Sequence, residues 1–94
     1  MYIVRVLLID SRPHGAARVA DRPPGLLGDL LWAHARPSDR FEHISIRSTG
    51  TGLEAVIFLR ATSESSALTG VREFFLRVRG PLAAHDYAPV VPTF

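Results

Sequence analysis

The sequence predicts one α+β domain in which two helices pack on one face of an antiparallel sheet. Residues 3–9 and 53–61 carry apolar side chains at both odd and even positions, which is typical of strands in the middle of a sheet. Two segments with helical periodicity alternate with the strands along the chain. The 94 residues suffice for one core, and the absence of cysteine excludes disulfides and cysteine-ligated metals.

The first predicted strand, residues 3–9, is interrupted only by Arg5. Proline and glycine then break up residues 11–22, and this loop exceeds the roughly 2–6 residues usual between a strand and a helix. It holds four basic side chains, Arg12, His14, Arg18 and Arg22. Such a loop is a candidate anion or partner site, and the alternative is an insertion without a function of its own.

A helix is expected next, capped by Asp21 and ended before Pro37. Pro23 and Pro24 fit its first turn, where backbone N–H groups have no helical partner. One side of this helix carries Leu26, Leu27, Leu30, Leu31 and Ala33. Trp32 lies outside that apolar stripe, so it is a candidate interface anchor, with packing beneath the preceding loop as the alternative.

Residues 41–47 alternate between apolar and polar side chains, which indicates an edge strand with one wet face. The sequence STGTG, residues 48–52, joins this strand to the next strand. A phosphate-binding glycine loop leads from a strand into a helix instead. We therefore expect a tight hairpin in which Gly50 and Gly52 adopt positive φ angles.

The second helix is predicted over residues 65–79, after the capping sequence TSESS and before Gly80 and Pro81. Its apolar face consists of Ala67, Leu68, Val71, Phe74, Phe75 and Val78. Leu76 points away from that face, and Glu73 and Arg77 have the spacing of a favourable ion pair. The proline-rich residues 81–94 form a tail that can add a short edge strand around residues 90–91.

This order of elements is the ferredoxin-like βαββα(β) plan, a two-layer sandwich with both helices on one face of an antiparallel sheet. The first and third strands are central in that plan and the second lies at an edge, in agreement with the apolar and polar character of these segments. We expect a domain over residues 1–80 followed by the tail, residues 81–94.

Helices on one face leave the other face of the sheet uncovered. The predicted open face carries Ile3, Leu7, Ile9, Val56 and Phe58, ringed by Arg5, Arg60, Glu54, His43 and Arg47, with Phe41 nearby. A contiguous apolar patch of this size approaches or exceeds what monomers usually expose. We expect a second copy to cover it, since a twofold axis makes one patch serve both chains; the tail or a different protein are the alternatives.

The charge pattern argues against a strong nucleic-acid partner. All 11 basic residues other than histidine are arginine, and lysine, asparagine and glutamine are absent, as a GC-rich bacterial genome explains. The net charge of +2 gives only a weak electrostatic attraction for nucleic acid.

The apolar runs are shorter than the roughly 20 residues of a membrane span, and the N-terminal residues lack the features of a signal peptide. We expect a cytoplasmic protein.

No catalytic or metal motif stands out. None of the four histidines has metal-ligand spacing, so we expect neither a metal nor a cofactor. His43 shares the predicted open face with three arginines and is the candidate general base if a cavity exists there. His34 is expected to be partly buried in the leucine stripe, and His85 to be solvated in the tail.

Three functions fit these observations. The first is a non-enzymatic interaction module that homodimerises and docks on a larger partner. The second is a cofactor-free enzyme or small-ligand binder, because the layout and length are similar to the dimeric α/β-barrel families, in which two such sheets face each other around a pocket. The third is weak binding of single-stranded nucleic acid on the sheet, for which Phe58 and Arg60 are the candidate contacts.

Overall fold

The structure is a computed structural model that describes residues 1–10, 24–49 and 52–90. These residues form an α+β fold with a four-stranded antiparallel open sheet and three α-helices. The elements are β1 (Tyr2–Asp10), α1 (Pro24–His34), a 3₁₀ helix (Pro37–Asp39), β2 (Phe41–Ser48), β3 (Gly52–Leu59), α2 (Glu64–Arg77), α3 (Arg79–Ala84) and β4 (Tyr87–Val90). The expected loop over residues 11–22, its basic side chains and the cap at Asp21 lie outside the described residues.

The strand order is β2-β3-β1-β4, with every neighbouring pair antiparallel. The prediction that the first and third strands are central and the second lies at an edge is therefore confirmed. The short strand predicted near residue 90 is also present, and it pairs with the free side of β1, Leu7 opposite Val90. Val91 lies outside the described residues.

The core lies between the sheet and the helices. It takes one face of the two central strands, which consists of Val4, Val6, Leu8, Leu53, Ala55, Ile57 and Leu59. The predicted apolar face of α2 supplies Ala67, Val71, Phe74 and Phe75, and Leu76 is 63% exposed as expected. In α1 only Leu27 and Leu31 are fully buried, so the predicted stripe is narrower than expected: Leu26 and Ala33 are exposed.

Ser63 caps the start of α2, where its Oγ accepts a hydrogen bond of 3.1 Å from the Ser66 N–H.

The chain after α2 departs from the prediction. Gly80 and Pro81 do not stop helical structure but lie inside α3. Pro81 is tolerated because it is the third residue of α3, where backbone N–H groups have no helical partner. Leu82 and Tyr87 are buried, so the segment after residue 80 contributes to the core.

The hairpin between β2 and β3 is closed by the Thr49 N–H, which donates to the Gly52 carbonyl at 2.8 Å. The predicted positive φ at Gly52 is wrong, because its φ lies outside the left-handed region. The glycine is needed instead for close approach: a Cβ there would lie 2.5 Å from the Leu8 carbonyl oxygen of β1. Gly50, the other glycine of the predicted turn, lies outside the described residues.

Candidate functional site

The face of the sheet opposite the helices is open in the described parts of the chain. Its four large exposed apolar side chains are Ile3 (56% exposed), Leu7 (40%), Ile9 (43%) and Val90 (48%). Val56 and Phe58 lie on the same face and are half-buried. We call this surface, made of these six side chains, the open face.

Strand pairing places the side chains of the open face beside one another on neighbouring strands, with Arg5 and Glu54 among them. Ile3 lies opposite Phe58, and Leu7 has Val90 on the β4 side. The prediction placed the β1 and β3 side chains here because side chains along a strand alternate between faces, and the structure has them in these positions. The contribution of Val90 was not recognised from the sequence, although the edge strand that carries it was expected.

Charged side chains of both signs lie among and around the apolar side chains of the open face, and Glu54 is directly opposite Leu7. The Arg47 Nε donates to Glu54 Oε1 at 2.6 Å, and the Arg60 Nε donates to Glu42 Oε1 at 2.9 Å. Arg5 lies on β1 between Ile3 and Leu7 and makes no ion pair with the other described residues. The Arg60–Glu42 pair is exposed and contributes little to stability, whereas the Glu54 side chain is only 14% exposed.

His43 lies beside the apolar side chains, as expected. Its ring centroid is 5.6 Å from that of Phe58, with the two planes tilted by 52°. The imidazole is exposed and has no hydrogen bond to another described residue that would orient it for proton transfer. The residues described by the structure contain no group of three or more side chains able to hold a metal ion.

Phe41, which was expected near the open face, lies elsewhere. Phe41 faces the helices, and its ring meets the Phe74 ring edge to face at a centroid distance of 4.9 Å. A pairing irregularity between Phe41 and His43 is the cause, because it places on opposite faces two residues that a regular strand would keep on one face. Trp32 is 49% exposed on α1, next to β2.

Trp32 borders a groove between α1 and the outer edge of β2. The groove has a volume of about 330 Å³ and is lined by Gly25, Gly28, Asp29, Trp32, His43, Ile44 and Ile46. His43 is thus the residue shared by this groove and the border of the open face. His34, predicted to be partly buried on the same helix, is exposed, because α1 buries a narrower stripe than its leucines suggested.

A second candidate site is a polar cleft beside the 3₁₀ helix. A cleft of about 450 Å³ runs between the 3₁₀ helix, the segment after β3 and α2. Its polar lining consists of Arg36, Arg40, Arg60, Arg77, Asp39, Glu73, Ser38, Thr62 and Ser66. We call this site the arginine cleft. This cleft was not predicted from the sequence, because its arginines come from three separated segments.

Comparisons of the chain with protein-family models, with curated proteins and with solved structures find no match. Within the described residues, no helix is long and apolar enough to cross a membrane.

Proposed function

We propose that this protein is a non-enzymatic interaction module that self-associates as a homodimer through the open face and serves as an accessory to a larger partner. The observation that carries the proposal is the set of Ile3, Leu7 and Ile9 on one face of a central strand, each 40–56% exposed, with Arg5 between Ile3 and Leu7. An exposed apolar patch on a protein surface often marks a binding site.

The size of the open face fits a weak dimer. With strands about 4.8 Å apart and a rise of about 3.3 Å per residue, strands of 9, 8, 8 and 4 residues cover about 460 Å². Two such faces bury about 900 Å², the size of a weak or transient interface. If half of that area is apolar, its burial contributes about 11 kcal/mol, and an association cost at the low end of about 4–15 kcal/mol leaves about 7 kcal/mol. This corresponds to a dissociation constant in the micromolar range.

The charged side chains at the open face favour a second copy of the chain as the partner that covers it. Arginine and glutamate side chains occur together at the open face, Arg47 with Glu54 and Arg60 with Glu42. A surface with both signs is able to complement itself across a twofold axis, whereas a foreign partner would need a matching mixed pattern. Arg5, which makes no ion pair with the other described residues, is then available for a carboxylate of the second copy.

The fold assigned with this proposal is the ferredoxin-like plan. It is supported by the order β2-β3-β1-β4 with antiparallel neighbours and by a helix after β1 and another after β3. This plan leaves one sheet face for association. Cytoplasmic location remains a prediction from the sequence.

A second candidate function is a ligand-binding dimer of the α/β-barrel type. The observation that favours it is His43, which lies at the border of the open face and also lines the groove of about 330 Å³ beside α1. A dimer that enclosed a pocket between its sheets would place this imidazole at the pocket. A dimer structure with a packed seam between the two sheets would exclude this candidate and leave the interaction module.

Size-exclusion chromatography with light scattering tests the proposed dimer. We expect a mass near twice 10.3 kDa at about 100 µM and a mixture at about 1 µM. Leu7→Glu places a charge in the centre of the open face and should give a monomer. Leu76→Glu is the matched control, because Leu76 is 63% exposed on α2 in the helix layer. A wild-type monomer at about 100 µM, or a dimer that survives Leu7→Glu, would refute the proposal.

A further inference from the structure

We propose that the arginine cleft binds the phosphate group of a small phosphorylated molecule. The cleft gathers four arginines around one cavity: Arg36, Arg40, Arg60 and Arg77. None of the six side chains of the open face lines this site, although Arg60 also lies beside the open face, and the inference does not depend on self-association.

The charges around the cleft leave two arginines available. Arg77 is neutralised by Asp39, with Nη2 and Oδ2 2.8 Å apart, and Arg60 by Glu42. Arg36 and Arg40 form no ion pair with other residues in the described ranges. A cleft lined by uncompensated charge of one sign raises the local concentration of a ligand of the opposite sign.

One carboxylate besides Asp39 lines the cleft, that of Glu73. It lies at the rim, since Glu73 also lines a neighbouring surface groove with Thr69, Arg72 and Leu76. Glu73 is exposed, so its charge is screened by water and reduces the attraction for an anion only in part.

Hydrogen bonds hold the backbone of Arg36 and Arg40 in place. The Arg36 N–H donates to the Asp39 carboxylate at 2.8 Å, and that carboxylate is itself bound by Arg77 of α2. The Arg40 N–H donates to the Pro37 carbonyl at 3.1 Å. The Arg40 carbonyl accepts a hydrogen bond of 3.0 Å from the Arg60 N–H. The backbone that carries both guanidinium groups is thus tied to β3 and α2, which lowers the entropy lost on binding.

The backbone of Arg40 adds a second, independent observation. Its φ of 58° and ψ of 31° lie in the left-handed region, which a side chain with a Cβ rarely adopts. Glycine would occupy this position without strain. The backbone therefore does not require an arginine here, and the Arg40 side chain lines the cleft.

The donors in the cleft match a phosphate. Each guanidinium presents parallel N–H groups that bind two oxygens of one anion, and a phosphate group has three such oxygens. The hydroxyls of Ser38, Thr62 and Ser66 supply further donors. The volume of about 450 Å³ exceeds what a lone phosphate fills and lies within the range of small-molecule pockets, about 300–1,000 Å³, so we expect the phosphate to be carried on a small molecule.

Titration with inorganic pyrophosphate at constant ionic strength tests this inference. Binding is measured by calorimetry and by the shift in the thermal midpoint of unfolding. We expect saturable binding by the wild-type protein and a dissociation constant at least about tenfold weaker in Arg40→Gly and in Arg36→Ala, since each lost charged hydrogen bond is worth about that factor. Arg40→Gly removes the guanidinium and relieves the backbone, so its midpoint without ligand should equal or exceed that of the wild type. Acetate in place of pyrophosphate should give no saturable binding.

Arg79→Ala is the matched control, because it removes one exposed arginine on α3, which does not line the cleft. We expect it to bind pyrophosphate like the wild type. Three results would overturn the inference: binding no stronger than that of chloride or acetate, unchanged affinity in Arg40→Gly, or an equal loss in Arg79→Ala, which would indicate attraction by net charge alone.

Discussion

Arg77 of α2 holds Asp39 of the 3₁₀ helix with two hydrogen bonds, of 2.8 Å from Nη2 to Oδ2 and 3.2 Å from Nη1 to Oδ1. The guanidinium carbon also lies 5.4 Å from the centre of the Phe74 ring. The sequence spacing had predicted Glu73 as the partner of Arg77. Asp39 is the better partner because its carboxylate is 8% exposed and is already oriented by the Arg36 N–H.

The pairing of Arg77 with Asp39 predicts that removing the carboxylate of Asp39 lowers the free energy of unfolding more than removing that of Glu73. Asp39→Ala should lower the free energy of unfolding by about 1–3 kcal/mol, because it leaves the partly buried guanidinium of Arg77 and the Arg36 N–H without their acceptor. Glu73→Ala, on the exposed side of α2, should change it by less than about 0.5 kcal/mol. Urea unfolding followed by circular dichroism measures both. Equal losses in the two variants would contradict this assignment.

Adding a single methyl group at Gly52 should greatly lower the free energy of unfolding. In Gly52→Ala the new Cβ would meet the Leu8 carbonyl at 2.5 Å, and this neighbour is backbone of the central strand, which moves only with the sheet. We expect unfolding to become easier by about 2 kcal/mol or more, the size of a typical overpacking effect. Thermal or chemical unfolding gives the value.

Gly70 is the counterpart in α2, where a Cβ would meet nothing within 4 Å. Gly70→Ala should raise the free energy of unfolding by about 0.5–1 kcal/mol, because alanine restricts the unfolded chain and favours the helix. A gain from Gly52→Ala, or a loss from Gly70→Ala, would show that the spacing around these glycines differs from the one described.

Phe41 and Phe58 lie on opposite faces of the β2-β3 pair, so alanine substitutions at the two positions should have different effects. Phe41 packs edge to face on Phe74, so Phe41→Ala should cost the isolated chain about 2–4 kcal/mol. Phe58, half-buried on the open face, should affect self-association more than the stability of one chain. Unfolding measured in the Leu7→Glu background separates the two effects. A greater loss from Phe58→Ala than from Phe41→Ala in that background would contradict the placement.

Self-association predicts that thermal stability depends on protein concentration. A dimer that forms only from folded chains stabilises them by mass action, so the thermal midpoint should rise by several degrees between about 1 and 100 µM. The Leu7→Glu variant should have a midpoint independent of concentration, and Leu76→Glu should follow the wild type. Differential scanning fluorimetry or calorimetry is sufficient, and a constant midpoint in the wild type would argue for a monomer.

Much of the open face could be predicted from the sequence because it depends on local periodicity. Ile3, Leu7 and Ile9 share a face whenever residues 2–10 form a strand, and the polar character of β2 placed it at an edge. The outward position of Leu76 followed in the same way from the period of a helix. No knowledge of distant contacts was required for these predictions.

The remaining features were decided by the tertiary structure, because they depend on which distant segments meet. One irregular pairing step moved Phe41 to the helix face, and the approach of the 3₁₀ helix to α2 gave Arg77 its partner 38 positions away. The same approach brought Arg36 and Arg40 to one cleft. The sequence by itself determined which side of each strand is apolar, whereas register and the packing of segments far apart in the chain determined where its charged side chains converge.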